Sequence, residues 1–494
     1  MQLPEAFERN MRELLGAGAD SVLAAIADEP VVSVRLNPWK RVATGLKDAV
    51  PWATDAFYLD ERKAFTFDPL FHAGCYYVQE ASSMFLEQAV RAYVTKPVVA
   101  LDLCAAPGGK TTLLRSVLPE GSVVVANEMM RDRAQVLVEN VVKWGHPAMV
   151  VTNNAPSDFA SLEGVFDLLV TDVPCSGEGM FRKDPVAISE WSEAGVDACW
   201  RRGRDILSSC WDCLRPGGLL VYSTCTFNAY EDEQNVRWIC DELGADVLPL
   251  DVRPEWGITG DLTCNGGSSL PVYHFLPGRT RGEGFFLAVL RKRAAIGAND
   301  DISGSEFQAR QGKSLSSNSN SKSQFSILKS PFSECLTWLS TPDDYDWIQT
   351  SPSLGGGRGE ACVAAVPNIG NQNGLLTMLS KHLRVLHAGV KVAEMKGRDV
   401  VPSPFLAFSS ALNDHAFTKA ELSYRDALTF LRKEVLQLPP DVGRGYVLVT
   451  YHGVPLGFVK NLGSRANNLY PTEWRIRTTH LPDEPTKVLL GDNE

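Results

Sequence analysis

The chain has 494 residues, of which 44% are hydrophobic and 22% charged, with a formal net charge of −11. This is ordinary globular composition, long enough for two to four domains, and it excludes a disordered or collagen-like chain. No apolar run approaches the roughly 18–20 residues of a membrane span, and the opening MQLPEAFERNMRELLG is too polar for a secretion signal. A cytoplasmic monomer is therefore the default expectation.

Eleven cysteines, an odd number in a long chain, argue for reduced thiols rather than a disulfide framework. The acidic balance counts against binding nucleic acid through overall charge. Phosphates, however, sense only patches within a Debye length of about 8–10 Å. Basic clusters occur at Arg201, Arg202 and Arg204, at Arg291, Lys292 and Arg293, at Lys391, Lys396 and Arg398, and at Arg475 and Arg477. Each is either solvated surface or a phosphate contact.

Residues 1–70 read as a small α+β element around the alternating strand VVSVRLNP, Val31–Pro38. From 71 to 295 short apolar runs alternate with helical stretches. VVALDLC (98–104), SVVVANE (122–128), AMVVTNN (148–154), FDLLVTDVP (166–174) and GGLLVYSTC (217–225) predict buried strands of a parallel α/β sheet. Residues 296–330 are rich in Ser, Asn and Gly and predict a flexible linker. A second folding unit follows over about 331–485. Its segment 445–463 predicts a β-hairpin, two apolar runs separated by HGVP.

The first strand of the sheet runs into Cys104-Ala105-Ala106-Pro107-Gly108-Gly109-Lys110 and then a helix. Small residues there admit close approach of a ligand to the backbone, and a helix N-terminus offers free N–H groups. The next strand ends in Glu128, an acid placed for a ribose diol. A nucleotide triphosphate loop of the GxxxxGK[ST] type would need glycine at position 104, where this chain has cysteine.

Two further strands end in Asp172-Val173-Pro174-Cys175 and in Ser223-Thr224-Cys225. Adjacent parallel strands present such loops on one rim, so the two thiols are expected side by side beside the cofactor. A thiolate there suits covalent catalysis on an electron-poor ring, with Lys110 helping to form it. Asp172, if buried and protonated, would absorb charge building on that ring. Cys210 and Cys213 form a lone C-x-x-C without a second pair, so no metal site is expected. Tyr76 and Tyr77 are candidates for base stacking or for the core. Arg182 and Lys183, just after the Pro-Cys loop, are favoured as phosphate contacts. Lys381 to Arg398 is a further candidate RNA face or plain solvated surface.

The segments GCYYVQEASSM (74–84), ALDLCAAPGGKTTLL (100–114), the strand ending in Glu128, TDVPCSGEGMFRKDP (171–185) and LRPGGLLVYSTCTFNAYEDEQNV (214–236), in this order, resemble the Nop/Sun family of RNA cytosine-C5 methyltransferases. The likeness spans most of the chain and is strongest to bacterial members acting on small-subunit ribosomal RNA. It implies a Rossmann-like S-adenosylmethionine methyltransferase sheet, an N-terminal ferredoxin-like RNA-binding element, a connecting region over 331–390 and a C-terminal PUA-like RNA-binding domain over 391–485. It also implies roles for side chains: Cys225 as nucleophile, Cys175 in product release, Asp172 and Lys110 beside the base and methyl group. Residues 104–110 and Glu128 would hold S-adenosyl-L-methionine. The family's acid near the adenine is missing after the third strand, where Thr152-Asn153-Asn154-Ala155 stands; the expected substitute is the Asn154 side-chain amide or the backbone alone. RNA, as ribosomal RNA or the small ribosomal subunit, is the implied partner. A non-catalytic RNA-binding assembly factor with a relic cofactor fold is the rival reading, and the four retained side chains oppose it. DNA methylation is the other, and the Thr-Cys motif opposes that.

Overall fold

The computed structural model describes residues 2–264, 269–294, 332–350, 362–368, 372–478, 480–482 and 484–490; the expected linker at 296–330 lies outside the described residues. The five apolar runs form strands β4 (Val99–Asp102), β5 (Val123–Asn127), β6 (Met149–Thr152), β7 (Phe166–Asp172) and β8 (Leu214–Thr224). All five run parallel, in spatial order β8-β7-β4-β5-β6. Successive side chains face opposite sides of a sheet. Leu101, Val125 and Leu220 thus join one buried cluster while Ala100, Val124, Leu168 and Val170 join another on the far face. Both faces are covered, which is why these strands read as unbroken apolar runs rather than alternating ones.

The chain order reverses between β4 and β7, and in an open α/β sheet that switch point is where ligands bind, outside the carboxyl ends of the strands. Beyond β8 the sheet continues antiparallel through β11 (Phe285–Lys292) and β10 (Val272–Phe275), with β9 (Ala245–Leu248) also pairing β11.

The N-terminal element is a three-stranded antiparallel sheet, with β1 (Val32–Leu36) central between β2 (Ala56–Leu59) and β3 (Tyr76–Val78). The division expected at residue 70 therefore falls inside this sheet. Arg35 of β1 is fully buried and donates to Gln79 Oε1 (2.9 Å) and Thr112 Oγ1 (2.6 Å), the latter in helix Gly109–Val117. Desolvation lowers its guanidinium to about 9. Helix Glu5–Leu15 packs Phe7 against Phe181 (ring centroids 4.9 Å) and Phe227 (6.5 Å), behind the loops that follow β7 and β8.

In the C-terminal half, β12 (Tyr345–Thr350), β13 (Cys362–Pro367), β15 (Val390–Lys396) and β16 (Asp399–Pro402) form one antiparallel sheet, so the division expected at residue 390 also falls within a sheet. β17 (Thr418–Glu421), β18 (Gly445–Tyr451), β19 (Val454–Asn461) and β20 (Ala466–Asn468) form a mixed sheet, in which β17 runs parallel to β18 and the other pairs are antiparallel. The expected hairpin is β18–β19. Its turn is only His452-Gly453, both at positive φ (48° and 73°), a type I′ geometry that matches strand twist; Val454 and Pro455 already belong to β19. Between β13 and β15 in sequence, β14 (Val385–Ala388) leaves its own half and pairs antiparallel with β6, becoming an edge strand of the central sheet.

Candidate active site

The loop after β7 and the loop after β8 meet at the carboxyl rim. Cys175 Sγ and Cys225 Sγ stand 3.0 Å apart, and the Cys225 N–H donates to Cys175 Sγ at 3.3 Å. The loops are laced by two buried carboxylates exchanged between them. Glu178, from the Pro-Cys loop, accepts from Thr226 Oγ1 (2.7 Å) and the Phe227 N–H (3.0 Å). Glu231, from the Thr-Cys loop, accepts from the Ser176 N–H (2.9 Å) and from Asn228 Nδ2 (2.7 Å). The Gly179 N–H closes the lacing on the Cys225 carbonyl at 2.9 Å. A Cβ at Gly179 would lie 2.4 Å from the Gly284 carbonyl oxygen, so only glycine admits this approach. The hydrogen bond to Cys225 and then burial push the Cys175 thiol well above its ordinary value, which keeps it a thiol beside its partner.

Across the rim, Lys110 Nζ donates to Asp172 Oδ2 at 2.7 Å, and Ser223 Oγ donates to Asp172 Oδ1 at 2.9 Å. Burial works against the Lys110 ammonium, but the charge and hydrogen bond of Asp172 outweigh it and the net shift is upward, so Lys110 is a cation at neutral pH. Lys110 opens helix Gly109–Val117, reached through Gly108 at φ +117°. Asp102, at the end of β4, is fully buried. It accepts from Thr111 Oγ1 (2.6 Å) while its Oδ1 has no partner, and desolvation raises it to about 7. Glu128 stands at the end of β5, its Oε1 accepting from the Met130 N–H at 2.8 Å. An unpartnered buried oxygen, a glycine turn into a helix N-terminus and an acid on the next strand fit a ligand bearing an amino acid and a ribose.

A family model described as 16S rRNA methyltransferase RsmB/F matches residues 95–291. Models for the N-terminal domain of 16S rRNA methyltransferase RsmF and for the methyltransferase RsmF PUA domain match 3–81 and 417–476. Ribosomal RNA small subunit methyltransferase F of Klebsiella pneumoniae (strain 342) is 30% identical, over 95% of this chain and 96% of that protein. The chain belongs to the RsmB/F family of 16S rRNA methyltransferases. The protein of the same name from Escherichia fergusonii is 31% identical over 95% of this chain and 96% of its own length. A solved methyltransferase homologue from Pyrococcus horikoshii aligns with a TM-score of 0.51 at 26% identity, across 58% of this chain and 95% of that one.

In this RsmB/F-family methyltransferase the expected residues do not all serve as read. Asp172 is not buried as expected; its side chain is 34% exposed and accepts from Lys110. Asn154 is committed elsewhere: Nδ2 donates to Asp158 (3.1 Å), Oδ1 accepts from the Arg384 N–H (3.0 Å), and its main chain is held by the Asn127 amide. It is a joint between β6 and β14 rather than an open amide. Arg182 was expected on phosphates but is buried, donating to Glu283 (2.7 Å) and the Gly282 carbonyl (2.5 Å); a buried guanidinium requires such a partner. Lys183 keeps partial exposure, 3.9 Å from the same carboxylate. Tyr76 is core and donates to Asp68, while Tyr77 packs beside Gly109. Cys210 and Cys213 are both buried in the main core cluster. In the basic clusters, Lys292 is spent on the Trp211 and Leu214 carbonyls and Lys391 pairs with Glu394. Glu178, Ser223 and Glu231, which fix the rim, were not singled out from sequence. They lie inside the quoted motifs, but only their partners across the loops reveal their task.

Proposed function

We propose that the chain methylates carbon 5 of a cytosine in small-subunit ribosomal RNA, through a covalent adduct of Cys225 at carbon 6, with S-adenosylmethionine as donor. The observation that carries this reading is the meeting of two sulfurs 3.0 Å apart on the rim beside the glycine turn. Carbon 5 of cytosine is a poor nucleophile. Addition of the Cys225 thiolate to carbon 6 makes it enamine-like and able to attack an electrophilic methyl group. The Lys110 ammonium, held by Asp172, favours the thiolate and offsets the negative charge that the ring gains. Residues 104–110 and Glu128 would hold S-adenosylmethionine, which when bound supplies the methyl group. Cys175, kept protonated beside Cys225, serves the later release of the enzyme from carbon 6.

The test is covalent trapping with 16S ribosomal RNA and labelled donor. Cys225→Ala is expected to abolish turnover and any gel-stable protein–RNA species, and Cys175→Ala to accumulate that species. An adduct in the first variant, or none in the second, reverses the assignment of the thiols. Absence of label from cytosine removes the reading altogether.

A further inference from the structure

Large apolar side chains are scarce on the surface. Nine are exposed among the described residues, and five of these, Met129, Met130, Met180, Val186 and Tyr230, lie on segments following the carboxyl ends of β5, β7 and β8. The carboxyl rim is also where an open α/β sheet binds its ligand, so apolar exposure on these segments points to binding.

Tyr230 is the aromatic one. Its neighbours Asn228 and Glu231 both bond Ser176, so its backbone is fixed beside the sulfur pair while the residue remains 55% exposed. The ring stands edge-on to Trp200 (centroids 6.4 Å, interplanar 71°). Trp200 is itself braced by Arg204, whose guanidinium lies 4.2 Å from the indole centroid and donates to Asn235 Oδ1 at 2.9 Å. Helix Glu193–Cys210 also carries Arg201 and Arg202, both exposed. Arg201 pairs with Asp197 in an exposed contact, worth little and easily exchanged, and its guanidinium lies 5.8 Å from the Trp200 ring centroid. A chain of net charge −11 thus sets exposed arginines and a rigid, half-bare aromatic ring beside the reacting thiols.

We propose that Tyr230 is the stacking platform for an unpaired base flanking the target cytosine, with Arg201 and Arg202 holding the phosphates of the same single-stranded segment. This rests on the reading of the chain as an RNA methyltransferase and assigns where the substrate strand leaves the site. Unstacked bases offer a face to any aromatic ring, and the backbone supplies the charge that arginines seek. A patch for a protein partner would not need single-strandedness, which the test therefore includes.

The experiment measures fluorescence anisotropy of a labelled, unstructured 12-nucleotide RNA containing one cytosine, and of the same sequence as a duplex, with the full-length protein at several salt concentrations. Wild type is expected to prefer the single strand. Tyr230→Ala should weaken it roughly 5- to 150-fold, and Tyr230→Phe should retain it. Arg202→Ala should reduce the slope of log affinity against log salt by about 0.7. Melting temperature and S-adenosylmethionine affinity should not move in any variant. Wild type that ignores the single strand, Tyr230→Ala within twofold of wild type, or Tyr230→Phe as weak as Tyr230→Ala overturns the proposal. Methylation of 16S ribosomal RNA by wild type separates the two readings. If it occurs with an RNA KM that Tyr230→Ala does not change, only the platform falls; if it does not occur, the parent reading falls.

Discussion

Cys175 and Cys225 meet because Glu178 and Glu231 are exchanged between their loops, and the exchange has a pH signature. Burial raises Glu231 to about 7, above its ordinary 4.5, against the smaller opposing effect of its hydrogen bonds. The folded protein therefore holds this proton more tightly than the unfolded chain. The stabilisation it brings is complete below pH 4.5 and is lost as pH rises through about 7. A shift of that size corresponds to about 3 kcal/mol at most. Glu231→Gln carries no titrating proton, so its melting temperature should fall less than that of wild type between pH 5 and pH 7.5. Parallel curves for the two proteins would show that another group titrates. At this scale the sequence exposed the two thiols, Lys110 and Asp172, because motif and strand end mark them. It did not expose that Asp172 carries Lys110 or that Arg182 is locked onto Glu283, since those partners lie 62 and 101 residues away.

The elements were the most legible level. Parallel strands covered on both faces must be apolar throughout, and the five runs from 98 to 225 announced themselves for that reason. Terminators depend on finer detail. Helix Arg131–Trp144 ends at Gly145, whose φ is +85° and whose N–H returns to the Val141 carbonyl. A Cβ there would lie 2.0 Å from the Phe408 carbonyl oxygen, whereas at Gly453, φ +73° in the β18–β19 turn, it would meet nothing within 4 Å. Left-handed backbone costs a non-glycine residue about 1–2 kcal/mol. Gly453→Ala should lose about that amount in thermal melts, and Gly145→Ala clearly more because the approach of Phe408 must also open. Equal losses would mean that the contact yields freely. β14 was not visible in sequence. VLHA shows no alternation, and these residues extend because the edge of β6 lies open beside them.

That edge strand organises the whole molecule. By pairing with β6, β14 ties the C-terminal half to the methyltransferase sheet. Leu375, Leu379 and Leu383 before it complete the main core cluster. A chain ended after residue 294 would bare both an unpaired strand edge and that apolar surface, a combination that promotes association. Such a truncation is expected to elute as aggregate in size-exclusion chromatography and to bind an apolar dye; a stable monomer would show that the sheet closes without β14. Among the described residues no helix is long and apolar enough to cross a membrane, and no group of His, Cys, Asp and Glu side chains is placed to hold a metal ion.

Strand periodicity, the glycine turn and the two cysteine loops were determined by the sequence alone, because each depends on residues adjacent along the chain. The pairing of Lys110 with Asp172, the burial of Arg182, the lacing by Glu178 and Glu231 and the diversion of Asn154 to Arg384 were decided only by the tertiary structure. Whether a charge is free, paired or neutral depends on which distant loop is packed against it and how much water that packing removes.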